Sequence, residues 1–318
     1  MTSIEIREYT DQDQTEVLEV LRSALGETAL LRRTAELWAW KHELNPFGRS
    51  LALVAVSGTK IVGVRAFMRW ELITPTGETV RCVRAVDTAT HPDFQRKGIF
   101  RNLTLTGVDL ARSEGVQLVF NTPNPKSLAG YLKMGWREVG KIGVLVRPSL
   151  RMLRRSDAPP ETEYLRNEKQ YLRNEDPIFA GISDRPPLGL RTPRSEPYLT
   201  WRYQRHPTAR YSPIGVDGTT AFLRSNVRSG RRELVVSDVI GAAARPAYKK
   251  VIEKSTADYV VAWHNKRSPE RRAAISVGLL PVPRLKVLTL VANPLLDVPE
   301  ASAGLDSWDL SLGDLELL

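Results

Sequence analysis

Gln95, Arg96 and Lys97 stand immediately before Gly98, and Ile99 and Phe100 follow it. Ahead of them, residues 83–90 form an apolar run closed by His91-Pro92-Asp93, which reads as a strand. Behind them, Ile99–Ser113 reads as a helix. A loop entering a helix this way offers backbone N–H groups with no intrahelical partner, and the helix dipole adds partial positive charge. Such a cradle suits a phosphate or pyrophosphate. The same residues also read as an ordinary basic surface turn. Arg101 lies close enough to the helix start to add its charge, whereas Asp109 and Arg112 read as a solvated face.

The elements that must position this loop follow from the pattern around it. Residues 4–9 alternate as a strand, and Thr10 or Asp11 can cap a helix over residues 12–25. A second helix covers residues 34–43 with Leu37, Trp38 and Trp40, and Asn45-Pro46-Phe47-Gly48 is a turn. Residues 51–56, 61–72 and 81–90 read as three consecutive antiparallel strands. After the cradle helix come a short strand (117–121) and a helix to Lys133 capped by Asn124, with Pro125 at its first position. Two closing strands cover 136–139 and 142–146. Gly107 falls on the apolar side of the cradle helix, with Ile99, Leu103, Thr106 and Leu110, and allows close approach to the sheet. The fold class is α/β (α+β), a mixed central sheet flanked by helices.

The totals narrow the classes. A chain of 318 residues exceeds what one core usually holds, so two domains are expected. No run of about 18 apolar residues implies a membrane span. The alternating, early-acidic start reads as a strand rather than a signal peptide. The single cysteine, Cys82, excludes an internal disulfide, reads as buried strand filler and fits a reducing cytoplasm. The net charge of +10 favours anionic partners, but the arginines are scattered and no aromatic–basic stripe appears, which argues against nucleic acid.

On these residues the chain resembles the GNAT superfamily of acyl-CoA-dependent N-acetyltransferases. The family's phosphate loop, Gln/Arg-x-x-Gly-x-Gly/Ala, stands here as Gln95-Arg96-Lys97-Gly98-Ile99-Phe100, with Phe100 in place of the last small residue, which narrows the room there. The stretch from Asn124 to Trp136, with Ser127, Tyr131 and Gly135, is similar to the family's next motif. The resemblance covers residues 1–148. It implies acetyl-CoA as co-substrate, lying between two splayed parallel strands, and no metal. It implies pantetheine pairing with the backbone of Thr88, Ala89 and Thr90. Pyrophosphate would rest on the amides of Arg96, Lys97, Gly98, Ile99 and Phe100, with Gln95 and Arg101 beside it. Asn124 and Ser127 would cap their helix and touch the CoA arm. Tyr131 would protonate the leaving thiolate; its other reading is a core tyrosine. The base is open. Asp87 sits where several antibiotic-modifying members carry an acid, but alternation sets it with Ala85 and Ala89, opposite Val86 and Thr88. Its other reading is a buried acid bonded to a neighbouring loop. His91 is the second candidate. Trp38, Trp40 and Phe47 are acceptor-pocket or core residues.

Residues 149–160 read as a linker and 161–318 as a second domain. Helices are expected over 161–173, where Tyr164-Leu165-Arg166-Asn167-Glu168 is echoed seven residues on, and over 198–204. Strands follow at 212–216, 220–225 and 234–240, a helix at 244–255, and strands at 259–264, 285–291 and 308–312, with 274–279 ambiguous. This order resembles a degenerate GNAT-like domain. The cradle position there reads Val239 to Pro246 without the motif, so no CoA is expected in that half. The stretches beginning at Tyr198 and Trp308 are similar to members linked with surface-polysaccharide genes, which implies an amino sugar acceptor. Some tandem relatives use their own terminal carboxylate as base, which here would be that of Leu318. The expected function is acetyl transfer from acetyl-CoA to a small primary amine, with a homodimer left open. The competing reading is a non-catalytic acyl-CoA sensor or assembly module.

Overall fold

The computed structural model describes residues 3–27, 32–149, 184–282 and 288–315. The first half of the chain holds β1 (Ile4–Glu8), α1 (Gln14–Leu25), α2 (Ala35–His42), β2 (Leu51–Ser57), β3 (Lys60–Ile73), β4 (Thr79–Thr90), α3 (Ile99–Ser113), β5 (Leu118–Asn121), α4 (Pro125–Lys133), β6 (Arg137–Ile142) and β7 (Leu145–Pro148). The second half holds α5 (Glu196–Leu199), β8 (Ser212–Val216), β9 (Thr219–Arg228), β10 (Arg231–Ile240), α6 (Ala244–Lys254), β11 (Tyr259–Ala262), α7 (Pro269–Ser276), β12 (Leu280–Pro281), β13 (Leu288–Pro294), α8 (Pro299–Ser302) and α9 (Leu312–Leu315). Residues 274–276 are therefore helical. The expected linker beyond Ser149, the helix over 161–173 with its echo, and the terminal carboxylate of Leu318 lie outside the described residues.

Two compact units emerge, and they interleave in sequence. One comprises Met1–Leu72, Glu78–Gly140 and Thr289–Ala303; the other comprises Ile73–Gly77, Lys141–Leu288 and Gly304–Leu318. The expected division at 148 is consecutive, so the observed arrangement differs from it. The sheet of the first unit runs β1-β2-β3-β4-β5-β13-β6. An interior strand, β3, is buried along most of its length on both faces, as its near-continuous apolar run requires. Leu18, Leu21 and Trp38 pack with Val54, Val64 and Ala66 on one face. Ile99 and Leu103 meet Leu53, Ala55 and Val62 on the other. Gly107 is what lets α3 sit this close: a Cβ there would lie 2.3 Å from Phe67 Cε2. Thr106 is exposed, while Val108 and Ala111 are buried, so the apolar stripe of α3 is rotated from the one the spacing suggested.

The second unit's sheet runs β12-β7-β11-β10-β9-β8. Each sheet contains a parallel pair, β4 with β5 and β10 with β11. In each, the strand beyond that pair is antiparallel and comes from the other half of the chain. Val291 of β13 lies opposite Asn121 of β5, and Ala262 of β11 lies opposite Leu145 of β7. Of the run expected to close the first domain at 142–146, Ile142 ends β6 in the first sheet, while Leu145 and Val146 pair in the second sheet as part of β7. The run expected at 285–291 is β13, described from Leu288 and set in the first sheet. Edge-ready strands with no local partner pair wherever an open edge exists, and periodicity carries no information about which edge.

The stretches beginning at Tyr198 and Trp308 meet. Arg194, whose side chain is 2% exposed, donates from Nη1 to Asp314 Oδ1 at 2.7 Å, and its Nη2 lies 2.9 Å from Asp238 Oδ2. Tyr198 donates to Asp314 and Tyr203 to Asp238. Gly313 must be glycine, since a Cβ there would lie 2.1 Å from the Tyr203 hydroxyl. The strand expected over 308–312 is absent for this reason: the segment bridges singly at Trp308 and Ser311, then turns into α9. Removing the guanidinium strands two buried carboxylates, so Arg194→Met is expected to cost about 3–5 kcal/mol. Urea denaturation, read by its midpoint at unchanged slope, measures this.

Candidate active site

The loop before α3 takes left-handed backbone twice, at Arg96 (φ 63°) and at its cap Gly98 (φ 78°). Alternation of this kind turns successive N–H groups toward one concavity. Asn102 N–H is the first to bond back, to Gly98 O at 3.0 Å, so the N–H groups of Ile99, Phe100 and Arg101 precede the helical ladder. Gln95, Arg96, Lys97 and Arg101 are exposed around it. Gln95 Nε2 donates to Thr90 O, and the Lys97 ammonium lies 4.6 Å from the Phe94 ring centre. The Phe100 ring joins the core beside Tyr131 instead of filling the loop.

β4 reaches this loop after parting from β5. Their parallel pairing runs from Cys82↔Leu118 to Arg84↔Phe120, while β4 continues to Thr90. Beyond Arg84, Asp87 adopts φ 40°, a conformation rare for a non-glycine residue. The alternation expected of this strand fails here. Ala85 packs with Phe67 and Val108, whereas Val86 and Ala89 pack with Val17 and Trp38 on the opposite face. Asp87 turns to that second face too, because one extra residue in a strand re-aims those after it.

There Asp87 borders a recess lined by Leu18, Leu21, Arg33, Leu37, Trp38 and Lys41. Lys41 Nζ donates to its Oδ2 at 3.0 Å, His42 Nε2 lies 3.1 Å from the same oxygen, and Arg33 Nη1 is 3.6 Å from Oδ1. A carboxylate only accepts, so His42 carries its proton on Nε2, and Nδ1 takes the Ser50 hydroxyl at 2.9 Å. Burial alone would raise the Asp87 pKa, but Lys41 and His42 outweigh it and hold the carboxyl far below its usual range. Burial lowers the His42 pKa against the pull of Asp87. An acid held this firmly ionised is a weak proton acceptor at neutral pH. Trp38 lines the recess, Trp40 is core, and Phe47 packs on Trp70. His91 is half-exposed and caps the turn by accepting from Asp93 N–H.

On α4, Asn124 Oδ1 accepts from Ser127 N–H at 3.0 Å, and the Ser127 hydroxyl bonds back to Asn124. Tyr131 is 2% exposed; its oxygen accepts from Arg65 Nη1 at 2.7 Å. Arg33, Lys41, His42 and Arg65 were not foreseen. The one signal for Arg65 is a charge inside the apolar run of β3. In the second unit, the N–H of Ala243 at the start of α6 is taken by Thr219 Oγ1 at 2.7 Å. Among the described residues no group of three or more His, Cys, Asp or Glu is placed to hold a metal, and no helix is long and apolar enough to cross a membrane.

The acetyltransferase (GNAT) domain pattern matches residues 5–139. In fold the chain is similar to a GCN5-related N-acetyltransferase from Kribbella flavida (13% identity, 92% of this chain and 71% of that one, TM-score 0.60). A GCN5-related N-acetyltransferase from Anabaena variabilis ATCC 29413 is similar too (12%, 92% and 73%, TM-score 0.62). So is a putative acetyltransferase from Pyrococcus horikoshii (12%, 100% and 96%, TM-score 0.59). No curated protein matches the sequence.

The recess's charges set a pH dependence. His42 is neutral in the fold and titrates lower there than in the unfolded chain. Its contribution is therefore full above about pH 6.5 and declines as pH falls below that. Thermal midpoints measured from pH 7.5 to 5 are expected to fall in the parent and to fall less steeply in His42→Gln.

Proposed function

We propose that this chain, whose residues 5–139 match the acetyltransferase (GNAT) domain pattern, moves an acetyl group from acetyl-CoA to the primary amine of a small molecule by direct attack. The observation that carries the reading is the end of β4–β5 pairing at Arg84↔Phe120, beside the exposed N–H groups at the start of α3. The edge of β4 that β5 leaves uncovered past Arg84, at Thr88, Ala89 and Thr90, offers pantetheine a strand to pair with. The amides of Arg96, Lys97, Gly98, Ile99 and Phe100, with Gln95 and Arg101 beside them, offer pyrophosphate a cradle. Asn124 and Ser127, at the exposed start of α4, flank the CoA arm.

The acceptor amine approaches from the mouth of the recess that Asp87 borders. Its apolar wall of Leu18, Leu21, Leu37 and Trp38 excludes water from one side. As the acceptor nitrogen bonds to the thioester carbon it becomes positive, and the Asp87 carboxylate, fixed as an anion, stabilises that charge. The nitrogen then loses its proton to water. The carbon–sulfur bond breaks with its electron pair on sulfur, and the Tyr131 hydroxyl supplies the proton that sulfur needs. The second unit has a parallel pair of its own, but its helix start is already bonded to Thr219, and it is assigned no CoA.

Free-thiol release from acetyl-CoA, measured across amino sugars, aminoglycosides, polyamines and peptide amines, tests the reading. Turnover with at least one class is expected. Tyr131→Phe should lower kcat by about 10²-fold and leave CoA affinity within about twofold. Gly98→Val, which cannot take φ 78° without strain, should weaken CoA binding by about tenfold or more. CoA binding with no turnover on any amine would make the chain a sensor; no calorimetric heat with CoA would remove the reading entirely.

A further inference from the structure

Arg65 lies midway along β3 with none of its surface exposed. Among the described residues it has no ion-pair partner, and its Nε and Nη2 meet no acceptor. A buried cation without a counterion is costly, and one that serves only packing is readily replaced by an apolar side chain. What surrounds it is aromatic. Its guanidinium carbon lies 4.6 Å from the ring centre of Phe67, 5.3 Å from that of Tyr131 and 5.9 Å from that of Phe100. Three ring faces offset part of the cost and supply no negative charge. Among the described residues, the one hydrogen bond its guanidinium makes is to Tyr131, from Nη1 at 2.7 Å.

A guanidinium has donors only. The Tyr131 oxygen therefore accepts at this contact, and its own proton points elsewhere. We propose that Arg65 is a positioning residue for acyl transfer. It fixes the Tyr131 hydroxyl with the proton turned outward, and it stands as the fixed cation beside the oxygen once that proton has gone. This rests on the reading of Tyr131 as the acid given above. In balance, the acceptor nitrogen gains a bond to the acetyl carbon, the carbon–sulfur pair goes to sulfur, and the Tyr131 proton follows it. Negative charge is then on the Tyr131 oxygen, next to Arg65, until the proton shed by nitrogen returns through water.

Phe100 belongs to the same device. It replaces the small residue of the loop pattern, yet its ring stands edge-on to Tyr131 at 5.5 Å. It also sits against Gly130, where a Cβ would come within 3.0 Å of Phe100 Cε1. The departure from the pattern thus builds one wall of the enclosure around Arg65.

A double-mutant cycle tests the proposal in the full chain, with thermal midpoints and CoA calorimetry alongside. Arg65→Met should lower kcat at least tenfold, with CoA affinity within twofold and a thermal midpoint no lower than the parent's. In the Tyr131→Phe background, Arg65→Met should cost no further rate. Arg65→Lys, which keeps the charge, should recover part of kcat. A further tenfold loss in the Tyr131→Phe background overturns the proposal, as does a weakened affinity for CoA. A drop in midpoint with no change in kcat would make Arg65 structural and overturn it too. If Tyr131→Phe turns over like the parent, the proposal falls while acyl transfer stands. A parent that binds CoA but releases no thiol overturns both.

Discussion

Asp87 holds a left-handed backbone in the middle of a strand, and two cations and a neutral imidazole hold Asp87. Such a conformation costs about 1–3 kcal/mol at a non-glycine residue and persists only where its surroundings enforce it. Here Lys41, His42 and Arg33 enforce it from α2 and the segment before it. The consequence is double. Past Arg84, β4 no longer pairs with β5, so the edge of residues 88–90 that would face β5 is uncovered. The same bulge brings a fixed carboxylate to a recess lined by Leu18, Leu21, Leu37 and Trp38 together with Arg33 and Lys41.

The sheets have a dependence of their own. Each takes the strand beyond its parallel pair from the opposite half of the chain, β13 beside β5 and β7 beside β11. Neither sheet is complete from one consecutive stretch, and pairings of such sequence separation form late and slowly. The buried carboxylates around Arg194 then close the second unit over its last described helix.

The local signals were legible. A glycine at a required positive φ, an Asn-Pro helix start and a 3.6-residue apolar stripe are written in adjacent residues, so the loop at 95–100, α3 and α4 could be placed from sequence. Mixed α/β architecture followed from their order. What could not be read depends on distant partners. Periodicity cannot say that β13 lies beside β5. It cannot anticipate the bulge that turns Asp87 away from Ala85, because the ion pairs enforcing it come from residues about 45 positions earlier. Arg65 was overlooked for the same reason: a charge in an apolar run has meaning only once Tyr131 is seen against it.

The central claim is that open backbone past the bulge and at the head of α3 receives the donor. Hydrogen exchange of residues 85–101, followed with and without saturating CoA, tests it most directly. The account predicts slowed exchange at the amides of residues 88–90 and 96–100 together, with the amides of β10 and α6 unchanged. Unchanged exchange at both stretches, or protection confined to the second unit, would contradict it.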